Sequence, residues 1–283
     1  MTLLQVLILA LVQGFCELLP VSSSAHVIMA EKLMGLDPTA PSMTLLLVAL
    51  HTGTMFAVIV YFWREWQTTY FSSTGAFVRN AAWIALATVA TGAVGFGLLK
   101  LLPHLLGVPA EGFEVEQLFG NPRLIAGALA AAGVLITIAG LRSRGPVTDA
   151  PIGTTVALGI GVVQGLCLPF RGFSRSGATI STGLLMGVAR QKAEEFSFAL
   201  AVVLTPAIIV KELLRFLKAH AAAGANPTGL VQLAWPSVVG MGLSFLAGLL
   251  ALRWLSRWLE HGRWHYFGIY CLAAAAAVQV VLG

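Results

Sequence analysis

Long apolar stretches dominate the chain, and six of them are long enough to cross a membrane. A helix that spans a bilayer needs about 20 mainly apolar residues. The six predicted spans cover residues 43–63, 80–102, 124–141, 194–217, 231–254 and 264–282. This pattern predicts an all-α integral membrane protein that crosses the bilayer several times.

Two further apolar stretches, residues 3–34 and 154–188, are each interrupted by a polar turn. The first turn lies at 20–26 and the second at 171–179. The apolar pieces beside each turn are too short to span a bilayer. Polar, glycine-containing backbone at membrane depth is tolerated only where it lines a cavity or is buried in protein. Each stretch is therefore predicted to form a re-entrant hairpin of two short helices.

The two hairpins resemble one another in sequence. The segment LVQGFC at 11–16 matches VVQGLC at 162–167. Further on, SSSA at 22–25 takes the place of SRSG at 174–177, with one additional residue in the second loop. This similarity predicts an internal repeat.

Three spans follow each hairpin, and an odd number of spans places the two halves in opposite orientations. The chain is therefore predicted to be a single membrane domain with an inverted-topology repeat, residues 1–141 and 142–283. In such folds the functional site lies near the bilayer midplane, where the broken helices of the two halves meet.

Composition agrees with a membrane protein and argues against other classes. Of the 283 residues, 58% are hydrophobic and 10% are charged, whereas soluble domains carry roughly 25% charged residues. The net charge of +5 does not indicate nucleic-acid binding, because loop Lys and Arg in a membrane protein mainly set its orientation. The three cysteines lie in apolar segments without the spacing of a disulfide framework or a zinc finger.

Basic residues predict the orientation of the chain. Arg64 and Arg79 flank one loop. Two other loops are also basic, with Arg142, Arg144, Arg253, Arg257 and Arg263. An acidic loop at 103–122 lies on the opposite side. The positive-inside rule makes the basic loops cytoplasmic and both termini external, although Arg215 and Lys218 fall on the outer side.

The first hairpin carries a carboxylate beside an amide. Glu17 follows Gln13 by four residues, so the two share one helix face. Glu17 is either paired structurally, or it acts as a general base or as the ligand of a hard cation such as Mg²⁺ or Ca²⁺. The sequence leaves these alternatives open.

Three serines and a histidine follow. Of Ser22, Ser23 and Ser24, at least one is expected to cap the next helix, and one is a candidate nucleophile. His26 lies two to four residues further on and is a candidate general base or acid. These residues make the first turn a candidate catalytic segment.

The second hairpin supplies an anion site. An arginine within an apolar segment marks a functional site by default, and guanidinium and hydroxyl groups suit a phosphate or carboxylate. Arg175 is the predicted anion ligand, assisted by Ser174, Ser176 and Thr179, one of which is expected to cap the following helix. Arg171 is either a second anion ligand or an interfacial residue.

Signals elsewhere are weaker. His51, inside the first span, is interpreted as a hydrogen-bonded packing residue. Glu194 and Glu195 precede a predicted helix and are interpreted as complementing its dipole. The sequence contains no Walker-type glycine loop, zinc motif or Gly-x-Ser-x-Gly elbow.

The two hairpin motifs together resemble the undecaprenyl-pyrophosphate phosphatase family of the bacitracin-resistance type. The first motif is Gln13-x-x-x-Glu17 with LPVSSSAH at 19–26, and the second is GFSRSGAT at 172–179. The resemblance continues through EFSF at 195–198 and covers essentially the whole chain.

This resemblance implies a bacterial inner-membrane enzyme that converts undecaprenyl diphosphate to undecaprenyl phosphate and inorganic phosphate. The product is the lipid carrier for cell-wall glycan synthesis. The resemblance also implies an interdigitated inverted repeat, a site opening to the periplasm and a divalent cation. Membrane lipid surrounds such an enzyme, nucleic acid is not a partner, and the oligomeric state stays open, a homo-oligomer included.

Residue roles follow from the same resemblance. It makes Glu17 the metal-associated carboxylate, His26 the site histidine, Arg175 the phosphate ligand and Ser23 the favoured nucleophile. A metal-activated water, or His26 itself, is the alternative nucleophile. Ser22, Ser24 and Gln13 complete the predicted substrate-binding set, together with the second-hairpin residues named above.

Two positions depart from the family pattern. Gln13 stands where the family often has Glu, which leaves one carboxylate for a metal. Arg171 precedes Gly172 where the family usually has Pro-Gly. The competing hypothesis is a transporter or flippase for a polyprenyl phosphate or small anion, since inverted repeats with broken helices are also a transporter design. A carrier needs the arginine but not Ser, His and Glu beside it, so hydrolysis is favoured.

Overall fold

A computed structural model describes residues 1–37, 40–107, 118, 121–143, 150–222 and 227–282. Within these residues the fold consists of ten α-helices and no β-strand. In chain order the helices are α1 (Leu3–Leu18), α2 (Ser23–Leu33), α3 (Pro41–Thr69), α4 (Thr74–Leu106), α5 (Pro122–Arg142), α6 (Thr154–Cys167), α7 (Arg175–Leu185), α8 (Arg190–Ala222), α9 (Pro227–Glu260) and α10 (Trp264–Leu282).

Six of these helices, α3, α4, α5, α8, α9 and α10, are long and apolar enough to cross a membrane. They coincide with the six predicted spans, so the all-α, multi-pass membrane fold is confirmed. Most run several residues further than predicted, as α3 does by continuing to Thr69. Hydropathy follows the apolar core of a span, whereas the hydrogen-bonded helix continues into its interfacial residues.

Local sequence signals set the ends of the long helices. The side chain of Ser73 caps α4, and the side chain of Asn121 caps α5, whose first residue is Pro122. Proline is favoured there because the first helical N–H has no partner within the helix. Gly107 ends α4 with a positive φ of 67°, a conformation that glycine adopts without steric cost.

The four short helices form the two predicted interruptions. Helices α1 and α2 meet at residues 19–22, and α6 and α7 meet at residues 168–174. The first residue of α2 is Ser23, and the first residue of α7 is Arg175. These two residues occupy matching places in the aligned hairpin sequences, so the two helix starts correspond.

Each hairpin packs on a long helix from the other half of the chain. Helix α1 packs on α9, and α6 packs on α4. Close approach is achieved with glycine in both cases. A Cβ on Gly14 would lie 2.5 Å from the Ala247 side chain, and one on Gly165 would lie 2.7 Å from the Val94 side chain. This reciprocal packing agrees with an inverted repeat, although the division at residue 141 itself stays a prediction.

The orientation also stays a prediction. Residues 108–117 of the acidic loop, and Arg144, lie outside the described residues. The positive-inside assignment therefore depends on the sequence of these segments and not on their geometry.

Candidate active site

Glu17, near the end of α1, connects the two hairpins. Its Oε1 accepts a hydrogen bond from Arg175 Nη2 at 2.7 Å, and its Oε2 accepts one from Ser23 Oγ at 2.6 Å. The Glu17 side chain is 16% exposed and that of Arg175 is 27% exposed. One carboxylate therefore holds both the candidate nucleophile and the candidate anion ligand.

The two helix starts at this carboxylate are capped differently. Ser174 Oγ accepts from the Gly177 N–H at 3.2 Å and so caps α7, as expected for one hydroxyl of that loop. Ser22 occupies the cap position of α2, but its side chain makes no cap hydrogen bond. The expectation that a serine side chain caps α2 therefore finds no support at Ser22. The first N–H groups of α2 are left without that partner beside Ser23, and free N–H groups at the start of a helix favour an anion.

Ser22 also has an unusual backbone conformation. Its φ is 67°, and it is the one non-glycine residue with positive φ among the described residues. Such a conformation costs about 1–3 kcal/mol and persists where the surrounding structure imposes it. Here it allows the chain to turn sharply from Leu19 into α2 and to place Ser23 against Glu17.

Gln13 lies behind the carboxylate. Its Nε2 donates to Glu17 Oε2 at 3.1 Å, and the residue is 1% exposed. The two residues share a helix face as predicted, and the amide adds no charge. Glu17 is thus the one negatively charged group at this point, and Gln13 orients it.

A small pocket opens beside Glu17 between α3 and α8. Each of the two helices contributes four residues with the same three-and-four-residue spacing, which places them on one face over two helical turns. The lining residues are Glu17, Leu18, His51, Thr54, Met55, Val58, Arg175, Phe198, Ala201, Val202 and Thr205. Charge and hydroxyl groups meet an apolar wall here, as an amphiphilic ligand requires.

His51 was interpreted from the sequence as a packing residue, and that interpretation missed its position in the pocket. Its Nδ1 does bond the Leu47 carbonyl at 2.8 Å, as a packing role requires. Its Nε2, however, lies 3.7 Å from Glu17 Oε2, and its side chain is 42% exposed. The signal in the sequence was the pairing of His51 with Thr54 on one face of the first span.

His26 faces away from the candidate nucleophile. Its Nδ1 bonds the Ser22 carbonyl at 2.8 Å, and its Nε2 bonds the Tyr270 hydroxyl at 2.7 Å. The His26 and Tyr270 rings are also stacked, with centroids 5.6 Å apart. With both ring nitrogens engaged, the group positioned to take the Ser23 proton is Glu17. Tyr270 was not identified from the sequence.

The remaining candidate hydroxyls of the first hairpin hold the two loops together. Ser24 Oγ accepts from the Gly172 N–H at 3.4 Å and lies 3.3 Å from Ser22 Oγ. Arg171, the neighbour of Gly172, is within electrostatic range of Glu31 on α2. This places Arg171 at the contact between the hairpins, and its predicted role as a second anion ligand remains untested.

The hydroxyls of α7 are buried. Ser176 Oγ donates to the Leu19 carbonyl at 3.3 Å, and Thr179 Oγ1 donates to the Arg175 carbonyl at 2.8 Å. Thr179 also shares a short hydrogen bond with Ser197 of α8. These bonds fix the start of α7, and therefore the guanidinium of Arg175, while the assignment of the hydroxyls to substrate binding stays a prediction.

The donor atoms of the pocket are compatible with a divalent cation. Among the described residues no group of three His, Cys, Asp or Glu side chains could enclose a metal. Glu17 nevertheless lines the pocket, with its Oε2 3.7 Å from Nε2 of His51, another lining residue, and Mg²⁺ is commonly held by one or two carboxylates together with substrate phosphates. The residues thus fit a cation that is completed by the substrate rather than enclosed by protein.

Residues 6–277 match the family model described as "Bacitracin resistance protein BacA". The chain belongs to this family. Its relatives include "Undecaprenyl-diphosphatase 2" of Acinetobacter baylyi, 62% identical over 98% of this chain and 97% of the relative. "Undecaprenyl-diphosphatase" of Korarchaeum cryptofilum is 31% identical over the full length of both chains. The protein of that name from Rhodopirellula baltica is 30% identical over 99% of this chain and 98% of the relative.

Proposed function

We propose that this BacA-family protein hydrolyses undecaprenyl diphosphate to undecaprenyl phosphate and inorganic phosphate. The observation that carries the proposal is the joint contact of Ser23 and Arg175 with Glu17 at the edge of an amphiphilic pocket. A nucleophile, a base and an anion ligand are the groups that hydrolysis of a phosphoanhydride requires. The names of the relatives describe the same reaction.

Substrate binding divides between charge and apolar surface. The Arg175 guanidinium and the uncapped N-terminus of α2 offset the negative charge of the diphosphate. Apolar side chains on α3 and α8, such as Val58 and Phe198, form the wall along which the prenyl chain lies. The headgroup and tail are thus bound by different ends of one pocket.

The chemistry begins at Ser23. Its Oγ attacks the terminal phosphorus while its proton passes to Glu17 Oε2, which lies 2.6 Å away. The bond between that phosphorus and the bridging oxygen breaks, and undecaprenyl phosphate leaves with the electron pair. Water then attacks the phosphoserine, the Oγ–P bond breaks, and Ser23 Oγ takes back its proton from Glu17 while the protons of the water stay with the released phosphate. Arg175 stabilises the charge on the phosphoryl oxygens in both steps.

A divalent cation, Mg²⁺ or Ca²⁺ by the family resemblance, is part of the proposal. Glu17 would hold it with the diphosphate oxygens, and when bound it would neutralise the charge of the reacting phosphate. Arg175 occupies Oε1 of the same carboxylate, so the side of Glu17 that faces Ser23 is the one available to the cation.

The proposal places the protein in the bacterial inner membrane with the site open to the periplasm. The multi-pass helical fold supports a membrane location. The basic loops, cytoplasmic by the positive-inside rule, support periplasmic termini. In this orientation the enzyme regenerates the lipid carrier for peptidoglycan synthesis and lowers the amount of diphosphate available to bacitracin.

Phosphate release from undecaprenyl diphosphate by the purified protein in detergent tests the proposal. The assay is run with Mg²⁺, with Ca²⁺ and with chelator, for the wild type and for Glu17→Ala and Arg175→Ala. We expect cation-dependent release that both substitutions abolish. A folded wild type that releases no phosphate with any cation would remove the proposal.

The covalent step has its own test. Ser23→Ala should lower kcat at least about 10³-fold, as loss of a nucleophile does in hydrolases, and acid quenching of wild-type turnover should trap phosphate on Ser23. Thr88→Ala on α4, whose hydroxyl bonds the Ile84 carbonyl, is the control and should retain full activity. Near wild-type activity of Ser23→Ala would show that Ser23 is not the nucleophile and would favour attack by water.

A further inference from the structure

We propose that His51 is a second protein ligand of the divalent cation at Glu17. A carboxylate with an imidazole gives the site a preference for cations that favour nitrogen ligands, such as Zn²⁺, over Mg²⁺ and Ca²⁺. The inference rests on the proposed function for the phosphate ligands that complete the site. Binding of the cation itself is measurable without turnover.

Hydrogen bonding fixes the tautomer of His51. A backbone carbonyl can only accept, so the 2.8 Å contact with the Leu47 carbonyl places the proton on Nδ1. In the neutral ring Nε2 therefore carries the lone pair, and it is this atom that lies 3.7 Å from Glu17 Oε2. Histidines that bind metals usually donate the other ring N–H to a carbonyl or carboxylate in this way. His51 is thus oriented as a metal ligand before any cation binds.

The separation of the two donor atoms suits one ion. Nε2 of His51 and Oε2 of Glu17 are 3.7 Å apart. Bonds from histidine nitrogen and carboxylate oxygen to Zn²⁺ are each about 2.0–2.2 Å, so a single cation can bridge the two atoms. This distance is too long for a direct hydrogen bond between the two atoms. Both residues line the pocket.

The neighbours of Glu17 explain why a nitrogen ligand matters in this chain. Gln13 contributes a neutral amide at 3.1 Å, so the protein offers one carboxylate at this point. Arg175 holds Oε1, which leaves Oε2 for the cation. Glu17 and the substrate phosphates offer a hard cation oxygen ligands alone, whereas a cation such as Zn²⁺ gains the imidazole as well. Of the hydrogen bonds on Oε2, the longer one from Gln13 is the one that the cation would displace.

Binding of Mn²⁺ to the purified, chelator-treated and untagged protein tests the inference. Electron paramagnetic resonance gives the bound fraction, and pulsed measurements detect the ¹⁴N nucleus of a coordinated imidazole. We expect this ¹⁴N coupling in the wild type, and its loss with at least a tenfold weaker Mn²⁺ affinity in His51→Gln. Mg²⁺ affinity, measured by competition, should change less than Mn²⁺ affinity.

His261→Gln is the matched control. Its Nδ1 also bonds a carbonyl four residues earlier, that of Arg257 at 2.6 Å, but the residue is exposed and lies outside the Glu17 pocket. This variant should bind Mn²⁺ as the wild type does. If His261→Gln rather than His51→Gln removes the ¹⁴N coupling, the inference is wrong.

The possible outcomes test the assignment of His51 as a metal ligand separately from the proposed phosphatase reaction. No ¹⁴N coupling in the wild type, or unchanged Mn²⁺ affinity in His51→Gln, overturns the assignment of His51 even if phosphate release is normal. Coupling that depends on His51 in a protein without phosphatase activity supports the ligand and removes the proposed reaction. The wild-type spectrum needs no variant, so an unstable His51→Gln protein leaves the assignment testable.

Discussion

The two helix hairpins, α1–α2 and α6–α7, have the same plan but carry different chemistry. Gln13 and Gly14 of the first correspond to Gln164 and Gly165 of the second. Further along, the first hairpin has Glu17, whereas the second has Leu168 at the matching position. Leu168 is 47% exposed and ends α6 without a charged group.

The helix starts differ in the same complementary way. Ser23 begins α2 and Arg175 begins α7, and both contact Glu17. The first hairpin therefore supplies the carboxylate and the candidate nucleophile, and the second supplies the candidate anion ligand. Equivalent backbone positions place two different groups on one carboxylate. The difference shows that the site is a single asymmetric centre formed by both hairpins, and that neither hairpin contains it alone.

The largest expected effect comes from moving the carboxylate. Glu17→Leu should lower kcat/KM at least about 10³-fold, because it removes the partner of both Ser23 and Arg175. Adding Leu168→Glu should restore nothing, since the side chain at position 168 lies against Gly95 of α4. Phosphate release by the single and double variants is the measurement. Recovery in the double variant would mean that the hairpins are interchangeable.

Replacing the arginine by lysine tests the contribution of the second hairpin. Arg175→Lys keeps the charge but loses the planar fork, so activity should fall about 10²-fold or more. Arg253→Lys, at an exposed position on α9, is the control and should leave activity unchanged. Equal activity of Arg175→Lys and the wild type would show that charge alone is sufficient at α7.

Substitution of Gly14 and Gly165 tests whether the two hairpins pack on their partner helices in the same way. Gly14→Ala and Gly165→Ala each place a Cβ less than 3 Å from atoms of the facing helix, so each should destabilise the protein by about 1–3 kcal/mol. Thermal unfolding in detergent measures the change, with Gly92→Ala, which meets no atom within 4 Å, as the control. Only Gly14→Ala should also lower activity, because Glu17 lies one turn away. Unequal stabilities would argue against equivalent packing.

The smallest effect is expected at the second glutamine. Gln164 donates to Thr91 at 3.3 Å, while its buried Oε1 has no hydrogen-bond partner. Gln164→Met removes an unsatisfied acceptor at the cost of one weak bond, so the stability should change by less than about 1 kcal/mol and activity not at all. The same thermal and phosphate-release assays apply. A large loss of activity would reveal a role for the second glutamine that its position does not explain.

Much of the fold could be predicted because the bilayer imposes it. A span must be apolar over a fixed length and must satisfy its own backbone, so the six spans and the two interrupted stretches are visible in the sequence. The helix ends were less predictable. Helix α3 continues through Trp66 to Thr69, since an interfacial helix needs hydrogen bonds and not hydrophobicity.

The site was predictable where it depends on local sequence. Glu17, Ser23 and Arg175 flank the two breaks, and the structure brings the three side chains into contact. The side-chain direction of His26 was not predictable, because it depends on Tyr270, which is 244 residues away along the chain. His51 was missed because its position in the pocket depends on how α3 is rotated against α1 and α8.

The packing of α1 on α9 has a consequence for the biogenesis of the enzyme. Gly14 fits against Ser244 and Ala247, which the ribosome adds more than two hundred residues later. Contacts so distant in sequence form late, after a large loss of chain entropy. The first hairpin is therefore synthesised first but cannot make its contact with α9 until that helix has been synthesised. A nascent or truncated chain consequently carries the serine and the carboxylate without an assembled catalytic centre.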